Sequence, residues 1–271
     1  MSHNKFSRRV FFVHSAHKTV GVSAGLAVWH GLCQFGGPSL AADDTTRPGA
    51  ASGTLKIVLI AARNEYRPEE SLAAFHEYLD KRYQVRCVRV FSKAVDALPG
   101  LEALDNCDCA IFFTRRMRIA GEPLERIKQF CRQEGKAIIG IRTASHGFQN
   151  WLEMDKEVFG GDYSGHYGDT EPVDVKVVDA QKQHPVLRGV TPFVSKGSLY
   201  KNFKVAADAT VVLTGSIPAA THPVAWVRPH RGGRVFYTSL GHPADFEEES
   251  FRRLLANAID WTTGGRLQRR R

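Results

Sequence analysis

Short apolar runs that do not alternate with polar residues recur along the chain, and segments of helical spacing separate them. Leu55 to Ala61 (Leu-Lys-Ile-Val-Leu-Ile-Ala) is the first run. Glu69 to Lys81 follows, with Leu72, Phe75, His76 and Leu79 on one side of a helix. Val85 to Phe91 and Asp108 to Phe113 are further strand runs. Pro123 to Glu134 reads as a helix with Leu124, Ile127 and Phe130 inward, closed by Gly135. Ala137 to Ile141 is the fourth strand. A strand that is apolar on both sides must be covered on both faces. The β-α-β order therefore predicts an α/β fold with a mostly parallel central sheet between two helical layers.

The second half adds strands over Val173–Val178, Thr210–Thr214, Val224–Val227 and Arg234–Ser239. His230-Arg231-Gly232-Gly233 is placed to turn the last two into a hairpin. A final helix runs from Phe246 to Trp261, with Phe251, Leu254, Leu255, Ala258 and Ile259 inward, and Gly264-Gly265 ends it. No internal repeat and no second domain is visible.

In an open parallel sheet, ligands bind at the carboxyl ends of the strands. The segments after the strands are Arg63-Asn64-Glu65-Tyr66, Thr114-Arg115-Arg116, Arg142-Thr143-Ala144-Ser145-His146 and Gly241-His242-Pro243-Ala244-Asp245. A glycine-rich loop, Gly160 to Gly168, adds Tyr163, His166 and Tyr167. Five polar loops on one rim make a candidate site. Its residues are Glu65, Arg115, Arg142, Tyr163 and Asp245 for substrate, and His146, His166 and His242 for proton transfer. Imidazoles suit that task because they change charge near neutral pH.

Several of these stretches occur together and in order. They are Asn64-Glu65-Tyr66-Arg67-Pro68-Glu69-Glu70-Ser71-Leu72, Gly140 to His146, Gly160 to His166, His184-Pro185-Val186, Pro223-Val224-Ala225-Trp226, and Gly241-His242 followed by Phe251 to Ile259. From about Leu55 to Gly264 the chain resembles the ThuA-like, or trehalose-utilisation, family. The resemblance implies a flavodoxin-like three-layer sandwich related to the class I glutamine amidotransferases. It also implies a part in sugar catabolism, the namesake acting on trehalose or its oxidised products, and hence a small carbohydrate ligand.

The chain departs from the wider superfamily at one decisive place. Amidotransferases carry a nucleophilic cysteine on a strand-to-helix elbow, in the pattern Gly-x-Cys-x-Gly. Gly140-Ile141-Arg142-Thr143-Ala144 stands there instead. A guanidinium is permanently charged and cannot be a nucleophile, although it can hold a carboxylate, phosphate or oxyanion. Glutaminase chemistry by the usual route is thereby excluded. A carboxylate from Glu65, or a ligand anion, is expected to neutralise Arg142. Gly-x-Ser-x-Gly is absent, and neighbouring residues on a turn rarely present hydroxyl and imidazole to each other. Ser145-His146 is therefore not read as a hydrolase pair.

The remaining histidines read as structural. His184 and His222 precede prolines and shape turns, and His230 lies in an exposed turn. Trp151, Tyr163, Tyr167 and Trp226 could stack on a sugar ring or pack inside. No metal-ligand spacing appears, so no cofactor is expected; a divalent metal held where His146, His166 and His242 meet Asp245 or Glu65 is the alternative to acid–base chemistry. Four cysteines beyond residue 41 (Cys87, Cys107, Cys109 and Cys131) are read as buried free thiols.

The formal net charge of +9 belongs to the ends. Lys5, Arg8, Arg9 and Lys18 precede the first acid, and Arg266, Arg269, Arg270 and Arg271 close the chain. The body has no basic stripe with interleaved aromatics, which excludes nucleic acid as a partner. Ser7-Arg8-Arg9-Val10-Phe11-Phe12, an apolar stretch from Thr19 to Leu32, and Ser39-Leu40-Ala41 follow the order of a twin-arginine signal peptide. The apolar stretch is too short and glycine-interrupted for stable membrane insertion. The expected organisation is a signal peptide over 1–41, a linker over 42–54, the ThuA-like domain over 55–264 and a basic tail over 265–271. The twin-arginine export machinery is the expected partner, and the periplasm or another exported location the destination. Replacing Arg8 and Arg9 by Lys is expected to leave precursor in the cytoplasm on fractionation. Normal processing in a strain without twin-arginine transport would count against this reading.

Overall fold

The computed structural model describes residues 53–62, 65–168 and 171–270. The stretch read as a signal peptide, nearly all of the expected linker, Arg63 and Asn64 lie outside the described residues.

Strand β1 (Leu55–Ala62) leads into helix α1 (Pro68–Arg82), β2 (Val85–Ser92), β3 (Cys109–Thr114), α2 (Glu122–Arg132) and β4 (Ala137–Ile141). Then come β5 (Tyr163–His166), β6 (Val173–Val177), β7 (Phe193–Ser195) and β8 (Tyr200–Asn202). The chain continues through β9 (Thr210–Ile217), β10 (Ala220–His230) and β11 (Gly233–Thr238) to α3 (Glu249–Thr262). Nine strands form one sheet in the order β2-β1-β3-β4-β11-β10-β9-β6-β7, and β5 pairs with β8 as a separate ribbon.

The α/β fold expected from the strand runs is present. The sheet is mixed: β2, β1, β3, β4 and β11 are mutually parallel, and β10, β9, β6 and β7 extend it by antiparallel pairing. The apolar runs have a direct cause in the layering. Leu55, Ile57, Leu59 and Ala61 of β1 face one core with Leu72, Phe75 and Leu79 of α1 and Leu254 and Leu255 of α3. Val58, Ile60 and Ala62 face the other, with Leu124, Ile127 and Phe130 of α2. Every second residue meets a different helical layer, so neither side of the strand can be polar.

Strand β10 runs well beyond the expected Val224–Val227. Pro223 cannot donate to a ladder, and the register with β9 shifts between Pro223 and Ala225. The β10–β11 connection is a two-residue turn with His230 opposite Gly233. Arg231 and Gly232 both have positive φ, 48° and 71°, as a hairpin turn matched to strand twist requires. Phe246 belongs to a 3-10 turn, Pro243–Glu247, and not to the final helix.

Three other expectations are corrected by packing. His230 is buried at the end of β10, its Nε2 2.9 Å from the Cys131 carbonyl. His222 lies within β10, buried, with Nε2 3.1 Å from the Tyr167 hydroxyl. Residues 266–270 do not form a free tail. Arg266 pairs with Asp108 at 2.8 Å, and the Arg270 amide donates to the Arg82 carbonyl. Trp151 and Trp226 are core residues, and the Trp226 indole donates to the Phe159 carbonyl at 2.7 Å. Cys87, Cys107, Cys109 and Cys131 are free thiols, the last three buried.

Gly140 of β4 packs directly against two core rings. A Cβ there would lie 2.6 Å from Phe159 and 2.8 Å from Tyr237. Both are buried rings within the core. Gly140→Ala is expected to cost about 1–3 kcal/mol through overpacking, measurable as a lower denaturation midpoint with an unchanged m-value.

Candidate functional site

The loops after β1, β3, β4 and β11 converge on one edge of the parallel half, and the β5–β8 ribbon joins them. Four of these loop residues have left-handed backbone without being glycine: Tyr66 (φ 63°), Arg67 (φ 48°), Arg116 (φ 47°) and Arg142 (φ 46°). Each such residue costs on the order of 1–3 kcal/mol, and such strain gathers at functional sites.

Arg142 occupies the elbow between β4 and the 3-10 turn Arg142–His146. Its side chain is fully buried. Nη1 donates to the Ser239 carbonyl at 2.8 Å and Nη2 to Ser198 Oγ at 3.1 Å. The guanidinium lies over Tyr66 at 4.0 Å and over Tyr200 at 4.8 Å, within cation–π range. Gly197 makes this approach possible, since a Cβ there would sit 2.7 Å from Nη1. Among the described residues no carboxylate lies within ion-pair distance of it: the expected partner Glu65 pairs with Arg115 instead, at 2.6 Å. Two neutral acceptors and two aromatic faces contact the guanidinium, and the buried Asp245 carboxylate, beyond ion-pair distance, adds a weaker attraction. Arg142 therefore braces the site, and its guanidinium presents no surface to solvent.

His146 stacks on Tyr163 with ring centroids 4.5 Å apart and lies 6.2 Å from Tyr200. Ser145 Oγ is 3.1 Å from His146 Nδ1, so the two neighbours do meet, contrary to the expectation from sequence. The 3-10 turn brings them together. Ser145 is nonetheless buried, and its hydroxyl donates to the Arg142 carbonyl at 3.3 Å. That network assigns Nδ1–H of His146 as donor to Ser145 Oγ and leaves Nε2 as the acceptor. Burial pushes His146 down to about 3, helped by the positive charges of Arg116, Arg115 and Arg142. The imidazole is neutral at physiological pH.

His242 caps the turn Pro243–Glu247, its Nδ1 accepting the Ala244 amide at 3.2 Å. Nε2 must then carry the proton of the neutral ring. Burial lowers its proton affinity too, against the opposing pull of Asp245. Asp245 is buried, and its Oδ2 accepts the amides of Gly241 (2.8 Å) and His242 (3.0 Å) and the Ser195 hydroxyl (3.0 Å). It orients the His242 loop from beneath. Tyr66 lies edge-on to His242 at 6.4 Å. The exposed ring of His166 lies 6.4 Å from Tyr200, with Nδ1 2.7 Å from the Tyr167 carbonyl. Aromatic contacts thus connect His242, Tyr66, Arg142, Tyr200, His146, Tyr163 and His166 in one cluster.

A second shielded acid supports it. Asp155 Oδ2 accepts the Tyr163 amide at 2.9 Å, and burial pushes the carboxyl up to about 7. Tyr66, Tyr200, Ser198, Asp155 and Arg116 matter here and were not singled out from sequence. Tyr200 sits on a three-residue strand with no periodicity to mark it. Among the described residues, no group of three or more His, Cys, Asp or Glu is arranged to hold a metal ion.

A family model described as trehalose utilisation, ThuA, matches residues 57–262. The chain belongs to this family.

Membership gives the ThuA-family chain a carbohydrate-related role at the level of the family. The fold is similar to that of a ThuA-like protein from Parabacteroides merdae (TM-score 0.62, 15% identity, covering 81% of this chain and 93% of that one). It is similar too to a ThuA-like protein from Bacteroides uniformis (TM-score 0.59, 17% identity, covering 80% and 94%). No curated protein matches the chain in sequence. At these identities the structural likeness speaks for the fold alone.

The two perturbed groups oppose each other in acid. His146 has a folded-state pKa near 3, below the ordinary 6.5. The unfolded chain therefore binds more protons between those values, and His146's contribution rises with pH across that window. Asp155, raised from 3.8 to about 7, contributes fully below 3.8 and loses its contribution as pH climbs to 7. The stability of wild type relative to His146→Phe is expected to increase from pH 4 to pH 6.5 in denaturant titrations. A difference that stays flat would mean the ring is not shielded.

Proposed function

We propose that this ThuA-family protein acts outside the cytoplasm on a keto-sugar related to trehalose, by proton transfer and without a cysteine nucleophile. The observation that carries the reading is the pair of neutral imidazoles, His146 and His242, flanking a buried guanidinium at the elbow where amidotransferases place their thiol. His146 Nε2, an acceptor, would take a proton from the carbon beside the sugar carbonyl. His242 Nε2–H would donate to the carbonyl oxygen as negative charge develops on it. Positive charge around His146 weakens it as a base in the empty site. A developing enediolate beside Arg115 and Arg116 offsets that charge and raises the affinity of the imidazole for the proton at the moment of transfer. Returning the proton to the former carbonyl carbon would complete an isomerisation, and returning it to the opposite face of the carbon it left would complete an epimerisation.

A second reading is a non-catalytic sugar-binding protein. The complete burial of Arg142 favours it, because the residue at the ancestral nucleophile position braces loops instead of facing a ligand. The signal-peptide-like start supports an exported location for either reading.

Deuterium exchange separates the two. The purified protein in D2O is expected to exchange the proton beside the carbonyl of a keto-sugar made from trehalose, followed by NMR. His146→Gln is expected to slow exchange by about 10²-fold or more. Changing Cys87, Cys107, Cys109 or Cys131 to Ser is expected to leave the rate unchanged in folded protein, and glutamine is not hydrolysed. Calorimetric binding of the sugar with no exchange would establish the binding reading in place of the enzymatic one. Loss of activity on labelling one cysteine with a glutamine-like electrophile would overturn the thiol-free chemistry.

A further inference from the structure

Positive charge gathers on one side of the rim beyond what proton transfer on a neutral sugar needs. Arg115 and Arg116 follow β3, and Arg142 follows β4. The Arg116 amide donates to the His146 carbonyl at 2.9 Å, which ties the two loops together. Arg142 hydrogen-bonds to neutral acceptors and is buried, with Asp245 acting on it only from beyond ion-pair distance. Arg116 is exposed at a left-handed backbone position, and among the described residues no acid lies within ion-pair distance of it. Only Arg115 is paired, with Glu65, at 2.6 Å.

That one pair tells which anion the rim accommodates. Glu65 is 42% exposed, against 23% for Arg115. It precedes the left-handed Tyr66–Arg67 turn, so a solvent-exposed carboxylate rests on an arginine that is largely covered. A partly exposed ion pair of this kind is weak, and a ligand can displace it. The Arg115 guanidinium is in a position to receive a carboxylate, and an unpaired guanidinium follows it in sequence.

We propose that the rim recognises an acidic sugar, a uronate or aldonate, whose carboxylate replaces Glu65 on Arg115 and is shared with Arg116. Glu65 is then an internal competitor that keeps the guanidinium group covered while the site is empty. The inference rests on the carbohydrate reading above and specifies the substrate class within it. Planar guanidinium groups favour it, because their paired N–H donors match two carboxylate oxygens. A consequence follows for His146. A bound carboxylate offsets the positive charge that, together with burial, keeps the imidazole unprotonated, and so brings its titration back toward neutrality.

Calorimetry on the full mature chain with glucuronate, gluconate, glucose and glucose 6-phosphate tests the proposal. Glucuronate or gluconate is expected to bind at least tenfold more tightly than glucose, with an advantage that shrinks as salt rises. Glu65→Gln is expected to tighten the acidic sugar severalfold and leave glucose unchanged. Arg116→Gln, at an exposed position, is expected to weaken only the acidic sugar. The His146 ring, followed by NMR, is expected to titrate at higher pH with glucuronate bound. Equal binding of glucose and glucuronate would overturn the proposal while leaving the carbohydrate reading in place. Stronger binding of glucose 6-phosphate than of either acid would overturn the choice of carboxylate. An unchanged affinity in Glu65→Gln would overturn the role of Glu65. If none of the four sugars binds, both this inference and the carbohydrate reading fall.

Discussion

A single buried guanidinium organises the functional edge of this molecule. Arg142 is fully enclosed and reaches the end of β11 through the Ser239 carbonyl, the loop before β8 through Ser198, and two aromatic rings on separate segments. Leaving such a charge unpaired inside a protein costs several kcal/mol. The loops must therefore close around it together. The tyrosines supply quadrupole attraction where a carboxylate would otherwise be needed. They also belong to the aromatic cluster that holds His146, His166 and His242.

The backbone carries the same constraint. Left-handed conformations at Tyr66, Arg67, Arg116 and Arg142 lie in the loops after β1, β3 and β4. Packed parallel strands leave those loops little freedom, because each must turn sharply into the next element while its side chain enters or skirts the site. The Tyr237 hydroxyl and Ser145 both donate to the Arg142 carbonyl, which fastens the strained residue from the opposite side of the peptide. Strain at Arg142 is offset by this network, and the elbow keeps its sharp turn although the thiol that such an elbow presents in amidotransferases is absent.

The electrostatics of the edge follow from this arrangement. His146 is shielded from water and surrounded by arginines, and both effects keep it neutral. Asp155 is shielded, with one amide donor and no cation beside it among the described residues, so burial holds a proton on its carboxyl to near neutrality. Two buried titratable groups thus depart from their ordinary values in opposite directions. Tyr163 joins them, stacking on one and donating its amide to the other.

Much of the architecture was legible in the residues alone. Apolar runs such as Ala137–Ile141 can be covered only by two helical layers. Arg231-Gly232 supports a two-residue hairpin, and polar segments after parallel strands must share one edge. The presence of Arg142 in place of a thiol was equally visible, and so were Glu65, Arg115, His146, His166 and His242 as rim residues. The partners of those side chains were not legible. Glu65 on Arg115, Tyr66 and Tyr200 around Arg142, and Ser145 against His146 depend on loop conformations that no periodicity encodes. His222 and His230 looked like turn residues because the adjacent prolines and glycines dominate the local signal, while burial beside Tyr167 and Cys131 comes from β10 crossing the sheet. Sequence by itself determined the layers, the edge and the arginine in place of a cysteine at the β4 elbow, since these follow from local pattern and residue chemistry. Tertiary structure alone decided which charges are paired, which are buried and which face solvent, because those properties arise from segments far apart in the chain, such as Arg266 and Asp108, 158 positions apart, or Tyr66 and Tyr200 around Arg142.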